Sequence, residues 1–185
     1  MRILKLWAIL ALFAVISIPG AAYAQTERAG TFTISPMFGG FYWDPAQHVG
    51  NGPEYGIAAG YNFTDHFGTE LMFNFADPGT DSSFNDGDIN LFLLHLDGVY
   101  HFNKVWIFDP YVVAGAGWGE VGRWKGKNQP HLFDIKATYS YGGGIEYFIS
   151  KKVAIRGDLR HVITFDSRTF SNLMYTVGAT YYLGK

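Results

Sequence analysis

An alternation of apolar and polar residues runs through six segments of this chain, and it restricts the possible folds more than any other feature. Because successive side chains of a β-strand point to opposite faces, such a pattern predicts strands with one apolar and one polar face. The six segments cover residues 54–63, 68–75, 92–102, 138–147, 153–165 and 173–183. Two further stretches, 31–43 and 108–119, are strand-like although glycines interrupt their alternation, so eight strands are expected.

The length of the segments and the composition both favour strands that cross a membrane. Each segment has about the ten residues that a tilted transmembrane strand requires. Charged residues make up 16% of the chain, against roughly 25% in soluble domains, while aromatic residues reach 18% and glycine contributes 23 of 185 residues. The predicted fold class is all-β, an eight-stranded antiparallel up-and-down transmembrane β-barrel.

The connections between the segments alternate in length, as they do in outer-membrane barrels. The short ones cover 64–66, 103–107 and 150–152. The longer ones cover 44–53, 77–88 and 120–133, and 166–171 is intermediate. Short turns are expected on the periplasmic side and the longer loops outside the cell.

Residues 1–24 are predicted to form a cleaved secretory signal. Arg2 and Lys5 precede an apolar run over 6–18, and Ala22-Tyr23-Ala24 places small residues where a signal peptidase cuts. Cleavage after Ala24 leaves one expected domain, the barrel, over 25–185. A retained helical anchor is the alternative, but the run is shorter than the roughly 20 apolar residues that a spanning helix needs.

Six charged residues lie on the polar faces, and their direction distinguishes a membrane barrel from a soluble one. They are Glu70, Asp97, Glu146, Arg156, Asp158 and Arg160. A soluble barrel would carry its charges outside, but these are too few for a solvated wall. In a narrow lumen an unpaired charge would be very costly, so we expect Arg156 and Arg160 to bond the carboxylates as internal scaffolding.

Aromatic residues gather beside the short connections, and this predicts an interfacial girdle. Amphipathic rings favour the boundary between membrane and water, whereas in a soluble barrel they would be ordinary core residues. The girdle residues are Tyr61, Phe63, Phe67, Tyr100, Phe102, Trp106, Tyr147, Phe148, Tyr181 and Tyr182.

Several motifs carry a family resemblance. Thr176-x-Gly178-x-x-Tyr181-x-Leu183 matches the pattern polar-x-Gly-x-x-aromatic-x-hydrophobic that closes many outer-membrane barrels. Two further pairs of motifs contain the charged residues. Gly60-Tyr61-Asn62 is followed by Gly68-Thr69-Glu70, and Gly143-Gly144-Ile145-Glu146-Tyr147 is followed, after a short turn, by Ala154-Ile155-Arg156. They resemble the transmembrane domain of outer-membrane protein A and related small barrels of the outer-membrane protein X type. The resemblance implies an outer-membrane location and pairing of Glu70, Glu146 and Arg156 across the lumen, while Asp97 stands where a basic partner is expected.

Three functions remain open. The first is a non-enzymatic integral barrel that supports envelope integrity or contacts other surfaces, with a lumen that side chains fill. The second is a lipid A-modifying enzyme of the deacylase kind, which would need a His and a Ser on one strand face. His161 with Asp166, Ser167 and Ser171 is the one group worth naming, and its spacing predicts no triad. No enzyme activity is therefore expected.

The third function is a surface adhesin or a receptor for a small apolar ligand. Its contact residues would be Phe84, Trp124 and Phe133 near Arg123, Lys125 and Lys127. The expected partners are outer-membrane lipid and lipopolysaccharide, with the barrel-assembly machinery and periplasmic chaperones during biogenesis.

Nucleic acid, cofactors and metals are not expected, and the barrel is expected to be monomeric. The net charge of −2 argues against a nucleic-acid partner. His95 and His101 share one face, but six residues along a strand separate them by roughly 20 Å, too far for joint ligation of a metal.

Overall fold

Eight antiparallel strands close into one barrel in the computed structural model of this chain. The structure describes residues 28–45, 50–77, 89–103, 105–123, 132–165 and 169–184. The predicted signal segment, and Phe84, Trp124, Lys125 and Lys127, lie outside these residues. The strands are β1 Phe32–Tyr42, β2 Gly52–Asn62, β3 Phe67–Ala76, β4 Ile89–His101, β5 Phe108–Arg123, β6 Leu132–Phe148, β7 Val153–Phe165 and β8 Thr169–Leu183. Within the described residues, no helix has the length and hydropathy needed to span a membrane.

Each strand pairs with the next one in the chain, and β1 also pairs with β8, which removes every open edge. The predicted fold class is confirmed. In a closed ladder the backbone N–H and C=O groups are bonded within the barrel, so the wall can face an apolar environment.

Two predicted loops differ most from the structure, and in both the adjoining strand was predicted too short. The β5–β6 ladder continues to the pair Arg123↔Leu132, so the predicted loop 120–133 narrows to 124–131. Ser171 lies in β8 opposite Ile163, not in a loop. In both places the backbone pairing continues past the point where the apolar alternation fades, because ladder hydrogen bonds do not depend on side-chain type.

The polar faces of the strands point into the lumen, as predicted. Tyr55, Leu71 and Ile155 are 57%, 49% and 41% exposed on the outer wall, while Arg156 is 4% exposed inside. This orientation is the reverse of a soluble barrel, in which apolar side chains fill the interior.

The lumen also contains an apolar layer that the alternation did not predict. It lies at the end of the barrel with the long connections, and we call it the apolar plug. Phe41 and Trp43 contact each other there, with ring centroids 4.9 Å apart. The plug consists of Met37, Phe41, Trp43, Ala58, Met72, Ala76, Leu91, Leu93, Val162 and Met174.

The predicted girdle is correct for most of its residues and wrong for two. On the outer wall, Tyr100 contacts Phe67 and Phe102, with ring centroids 4.9 and 5.1 Å apart. Phe148 and Tyr182 instead lie inside the lumen, where their rings are 5.5 Å apart. Both occupy the alternate positions of their strands whose side chains point inward. This alternation, and not closeness to a turn, decides which side of the wall they face.

Candidate functional site

The charged residues of β7 form the centre of a buried ionic cluster. Arg156, Asp158 and Arg160 occupy alternate positions of one strand, so all three side chains enter the lumen. Glu70 on β3 and Asp97 on β4 lie directly opposite each other in the register. We call these five residues the lumenal ion cluster.

Arg156 is bound by two carboxylates. Its Nη1 and Nη2 atoms donate to the two oxygens of Glu70 at 2.5 and 3.0 Å, and its Nε donates to Asp158 Oδ2 at 2.6 Å. The guanidinium also lies 5.0 Å from the centre of the Tyr111 ring. A bidentate arginine–carboxylate pair fixes orientation as well as supplying charge.

Arg160 is fully buried and reaches three carboxylates. Its Nη1 donates to Asp97 Oδ2 at 2.5 Å, and its Nη2 donates to Glu70 Oε1 at 2.9 Å and contacts Asp158 Oδ1 at 3.3 Å. Asp97, which occupies the position where a basic residue was expected, is therefore the partner of Arg160. Two arginines meet three carboxylates in this cluster.

Glu146 does not join the lumenal ion cluster, although it lies opposite Arg156 in the β6–β7 register. Its carboxylate accepts hydrogen bonds from Thr180 Oγ1 at 2.9 Å and from the Tyr182 hydroxyl. The pairing of Glu146 with Arg156 that the family resemblance implied is wrong, because two hydroxyls satisfy the carboxylate and Glu70 and Asp158 occupy the guanidinium.

A second ion pair closes the lumen at the end with the short turns. Arg28, just before β1, pairs its guanidinium with Asp109 of β5, and both side chains are buried. The Arg28 guanidinium lies 5.5 Å from the centre of the Phe148 ring, and His101 Nδ1 lies 3.3 Å from Asp109 Oδ2. We call Arg28 and Asp109, with His101, the lumenal floor. Arg28 and Asp109 were not among the sequence-predicted charges.

His101, Asp109 and Glu146 also form the one group within the described residues whose side chains could together hold a metal ion. Their potential ligand atoms all lie within 4.8 Å of one another. The Arg28 guanidinium already lies against the Asp109 carboxylate, so the charge that would attract a cation is neutralised by the protein itself.

Between the floor and the lumenal ion cluster lies a cavity of about 20 Å³. It is lined by Glu70, His101, Tyr111, Glu146 and Arg156, among others. This volume holds about one water molecule. The apolar plug, the ion cluster and the floor therefore occupy successive levels of the lumen.

The turn between β2 and β3, outside the membrane-spanning strands, holds Arg28 in place through Asp65. We expect this contact to depend on pH. The N–H groups of Arg28 and Ala29 donate to Asp65 Oδ1 at 2.7 and 3.1 Å. The bonds from Ala29 and Arg28 lower the pKa of Asp65 below its usual 3.8. Because the folded-state pKa is the lower one, the contact is stabilised above pH 3.8 and lost as the pH falls through the folded-state value.

The measurement is the NMR chemical shift of the Ala29 amide during acidification. We expect a titration with its midpoint below the ordinary aspartate value and no titration in Asp65→Asn. A midpoint at or above the ordinary value in the unchanged protein would show that the N–H groups of Arg28 and Ala29 do not hold this carboxylate.

Comparison with known proteins decides the family. The family profile described as "Outer membrane protein beta-barrel domain" matches residues 8–183. The chain belongs to this family of outer-membrane β-barrels. It is thus an integral protein of the outer membrane, and its apolar outer wall faces lipid.

Solved structures of other small outer-membrane barrels share the fold of this outer-membrane barrel. Neisserial surface protein A is 13% identical with a TM-score of 0.70, over 83% of this chain and 97% of that one. OprG of Pseudomonas aeruginosa is 14% identical with a TM-score of 0.60, over 87% and 99%. Ail of Yersinia pestis is 18% identical with a TM-score of 0.57, over 84% and 99%. No curated protein sequence matches the chain significantly.

On the lipid-facing wall of the outer-membrane barrel, His161 contacts Ser171, one of the residues named with it in the sequence. His161 Nε2 is hydrogen-bonded to the Ser171 hydroxyl, and Nδ1 lies 2.7 Å from the Tyr141 hydroxyl. The β7–β8 hairpin places Ile163 opposite Ser171, so His161 is its diagonal neighbour on the same face. Asp166 and Ser167 lie outside the described residues.

This arrangement satisfies a histidine that faces lipid. Both ring nitrogens are bonded to hydroxyl groups, which offsets the cost of a polar group in an apolar environment. The N–H group of Ser171 donates to Asp44 Oδ2 at 3.1 Å, so this N–H is not available to stabilise an oxyanion. The contact joins β7 to β8 on the lipid-facing wall.

Proposed function

We propose that this outer-membrane barrel is a non-enzymatic structural component of the envelope that also presents its long loops for contact at the cell surface. The observation that carries the proposal is the filled lumen. The apolar plug closes one end, the Arg28–Asp109 pair closes the other, and the lumenal ion cluster occupies the middle. A barrel with such an interior does not offer solutes a continuous path.

The strand order supports the second part of the proposal. The connections on one side of the barrel are turns of a few residues, while the opposite side carries the three longest ones, as in other outer-membrane barrels. Among the structural neighbours, Ail is described as the attachment invasion locus protein and has been crystallised with a heparin analogue. The adhesin alternative for this chain rests on the same topology: of its predicted contact residues, Arg123 and Phe133 lie where β5 ends and β6 begins, on the side with the longer connections.

The alternative of a lipid A-modifying enzyme depends on the His161–Ser171 pair. One experiment tests it together with the structural role. The barrel is reconstituted into phospholipid vesicles that contain lipid A, and membrane conductance and fatty-acid release are measured on the same preparation. We expect conductance at the level of protein-free vesicles and no release of fatty acid.

Two results would contradict this proposal in different ways. Stepwise conductance would show that solutes pass the lumen. Fatty-acid release that disappears in both Ser171→Ala and His161→Ala would show an enzyme. Release that persists in both variants would indicate contamination, and a repeat after further purification should then show none.

A further inference from the structure

Glu54 is a buried carboxyl group that does not belong to the lumenal ion cluster. It is the third residue of β2, and its side chain is fully buried at the level of the apolar plug. Ala76 of the plug lies opposite it in the β2–β3 register, and Asn74 is its diagonal neighbour on the same face. Within the described residues, its one hydrogen-bond partner is the Asn74 amide, whose Nδ2 donates to Oε1.

The lumen contains more buried carboxyl groups than guanidiniums. Within the described residues, six carboxyl groups and three guanidiniums are buried: Glu54, Glu70, Asp97, Asp109, Glu146 and Asp158 against Arg28, Arg156 and Arg160. Two charged groups of β7, Arg160 and Asp158, act electrostatically on Glu54, but Arg160 is already bonded to three other carboxylates. A buried carboxylate without a counter-charge of its own is so costly that the group takes up a proton instead.

Two oxygen atoms of this pair of side chains show where the proton lies. Glu54 Oε2 and Asn74 Oδ1 are both buried, and neither has a hydrogen-bond partner within the described residues. An ionised carboxylate and an amide oxygen only accept, so these two atoms cannot bond each other without a proton. A proton on Glu54 Oε2 makes it a donor to Asn74 Oδ1. Together with the bond from Nδ2 to Oε1, this closes a cyclic acid–amide pair in which one proton satisfies both atoms.

The strands around the pair favour a proton over a metal ion. Gly39 of β1 lies opposite Glu54 and brings no side chain to it. His95 of β4 is bonded to the hydroxyls of Ser140 and Thr138, and the Met174 sulfur of β8 lies 3.7 Å from Asn74 Nδ2. Divalent metal ions with oxygen ligands take six or more of them, and thioether and methyl groups of the plug do not supply these.

We propose that Glu54 and Asn74 form a proton latch on the apolar plug: the protonated pair closes the long-connection end of the lumen, and loss of the proton at alkaline pH admits water to the plug. This device goes beyond the structural role proposed above, because it makes the closure of one end of the lumen depend on a single proton.

The latch fixes the sign of the pH dependence. An unfolded glutamate has lost its proton well below neutral pH, whereas the latch keeps one in the folded barrel. Because the folded state then binds one proton more than the unfolded chain, the stability that the latch contributes is lost as the pH rises.

Trp43 lies in the plug beside Phe41 and reports on water there. Its emission is measured in detergent micelles by subtracting the signal of Trp43→Phe. In the unchanged barrel we expect a reversible shift to longer wavelength between neutral and alkaline pH. The equilibrium constant for unfolding in urea should rise by up to about tenfold per pH unit over the same range.

The variant Glu54→Gln should show neither pH dependence, because the amide keeps the volume and carries no titrating proton. Asp77→Asn is the matched control: Asp77 is an exposed carboxylate at the same end of the barrel, and its loss should leave both effects in place. Constant Trp43 emission and stability in the unchanged barrel, or a pH dependence that survives Glu54→Gln, would overturn the proposal.

Infrared spectroscopy tests the proton directly and remains decisive if Glu54→Gln does not fold. An uncharged carboxylic acid has a carbonyl band that is separate from the carboxylate bands. In micelles of a detergent without ester groups, the unchanged barrel should show this band at neutral pH. Asn74→Ala keeps the acid but removes its partner, so the band should move to higher frequency. No acid band at neutral pH, or a band that Asn74→Ala does not move, would show that Glu54 and Asn74 do not share a proton.

Discussion

Replacing Arg156 by alanine is expected to destabilise the folded barrel by about 3–5 kcal/mol, the range for breaking a buried ion pair by removing one partner. Arg156 binds both oxygens of Glu70 and also Asp158. Without it, Arg160 alone faces the three carboxylates of the lumenal ion cluster. The measurement is the urea midpoint of unfolding in detergent micelles.

The matched control removes the same kind of charge from a solvated position. Lys152 is exposed in the turn between β6 and β7, and Lys152→Ala should change stability by no more than about 0.5 kcal/mol. The double variant Arg156→Met with Glu70→Leu should recover part of the loss, because it removes both charges and keeps the volume. A midpoint for Arg156→Ala equal to that of the unchanged barrel would show that the cluster does not stabilise the fold.

The direction of these charges could be predicted from sequence, but their partners could not. Parity along one strand is enough to place Arg156, Asp158 and Arg160 on a common face. Glu70 and Asp97 reach them from β3 and β4, strands that do not pair with β7. Which residues meet across a lumen depends on the stagger and tilt of the closed barrel, and local alternation contains neither quantity. The expected pairing of Glu146 with Arg156 was wrong for this reason, because the Glu146 carboxylate is bound by hydroxyls from β8, a strand that does not pair with β6.

Other features were missed because no alternation applies to them. Arg28 precedes β1, so no strand pattern indicated that its side chain turns into the barrel. The contact between His161 and Ser171 crosses a hairpin, and it depends on the β7–β8 register and not on spacing along one strand. Each of these contacts is set by tertiary geometry.

The apolar plug was missed for a different reason, which β1 illustrates. Apolar residues occupy both faces of this strand near its end, with two glycines between Phe38 and Phe41. An apolar side chain suits both lipid tails and a dry lumen, so residue type does not show which environment it enters. Only the register distinguishes them: Phe41 is 1% exposed inside and Phe38 is 63% exposed outside.

These two phenylalanines provide the second large prediction. Phe41→Ala should cost about 3–5 kcal/mol, the range for truncating a buried phenylalanine, because the loss of transfer free energy adds to the cost of a cavity beside Trp43. Phe38→Ala should cost less, about 1.5–3 kcal/mol, because it loses only the favourable free energy of transferring the ring out of water. Lipid or detergent chains are fluid and fill the space that this ring leaves, so no cavity remains.

The comparison uses denaturant midpoints of both variants in the same micelles, with the fold checked by the faster gel migration of unheated barrel. Both changes delete the same atoms from the same strand, so the difference between them isolates the cavity term. If Phe38→Ala cost as much as Phe41→Ala or more, the interior at Trp43 would be loosely filled. The long-connection end of the lumen would then be open, and the structural role proposed for a filled barrel would lose its main support.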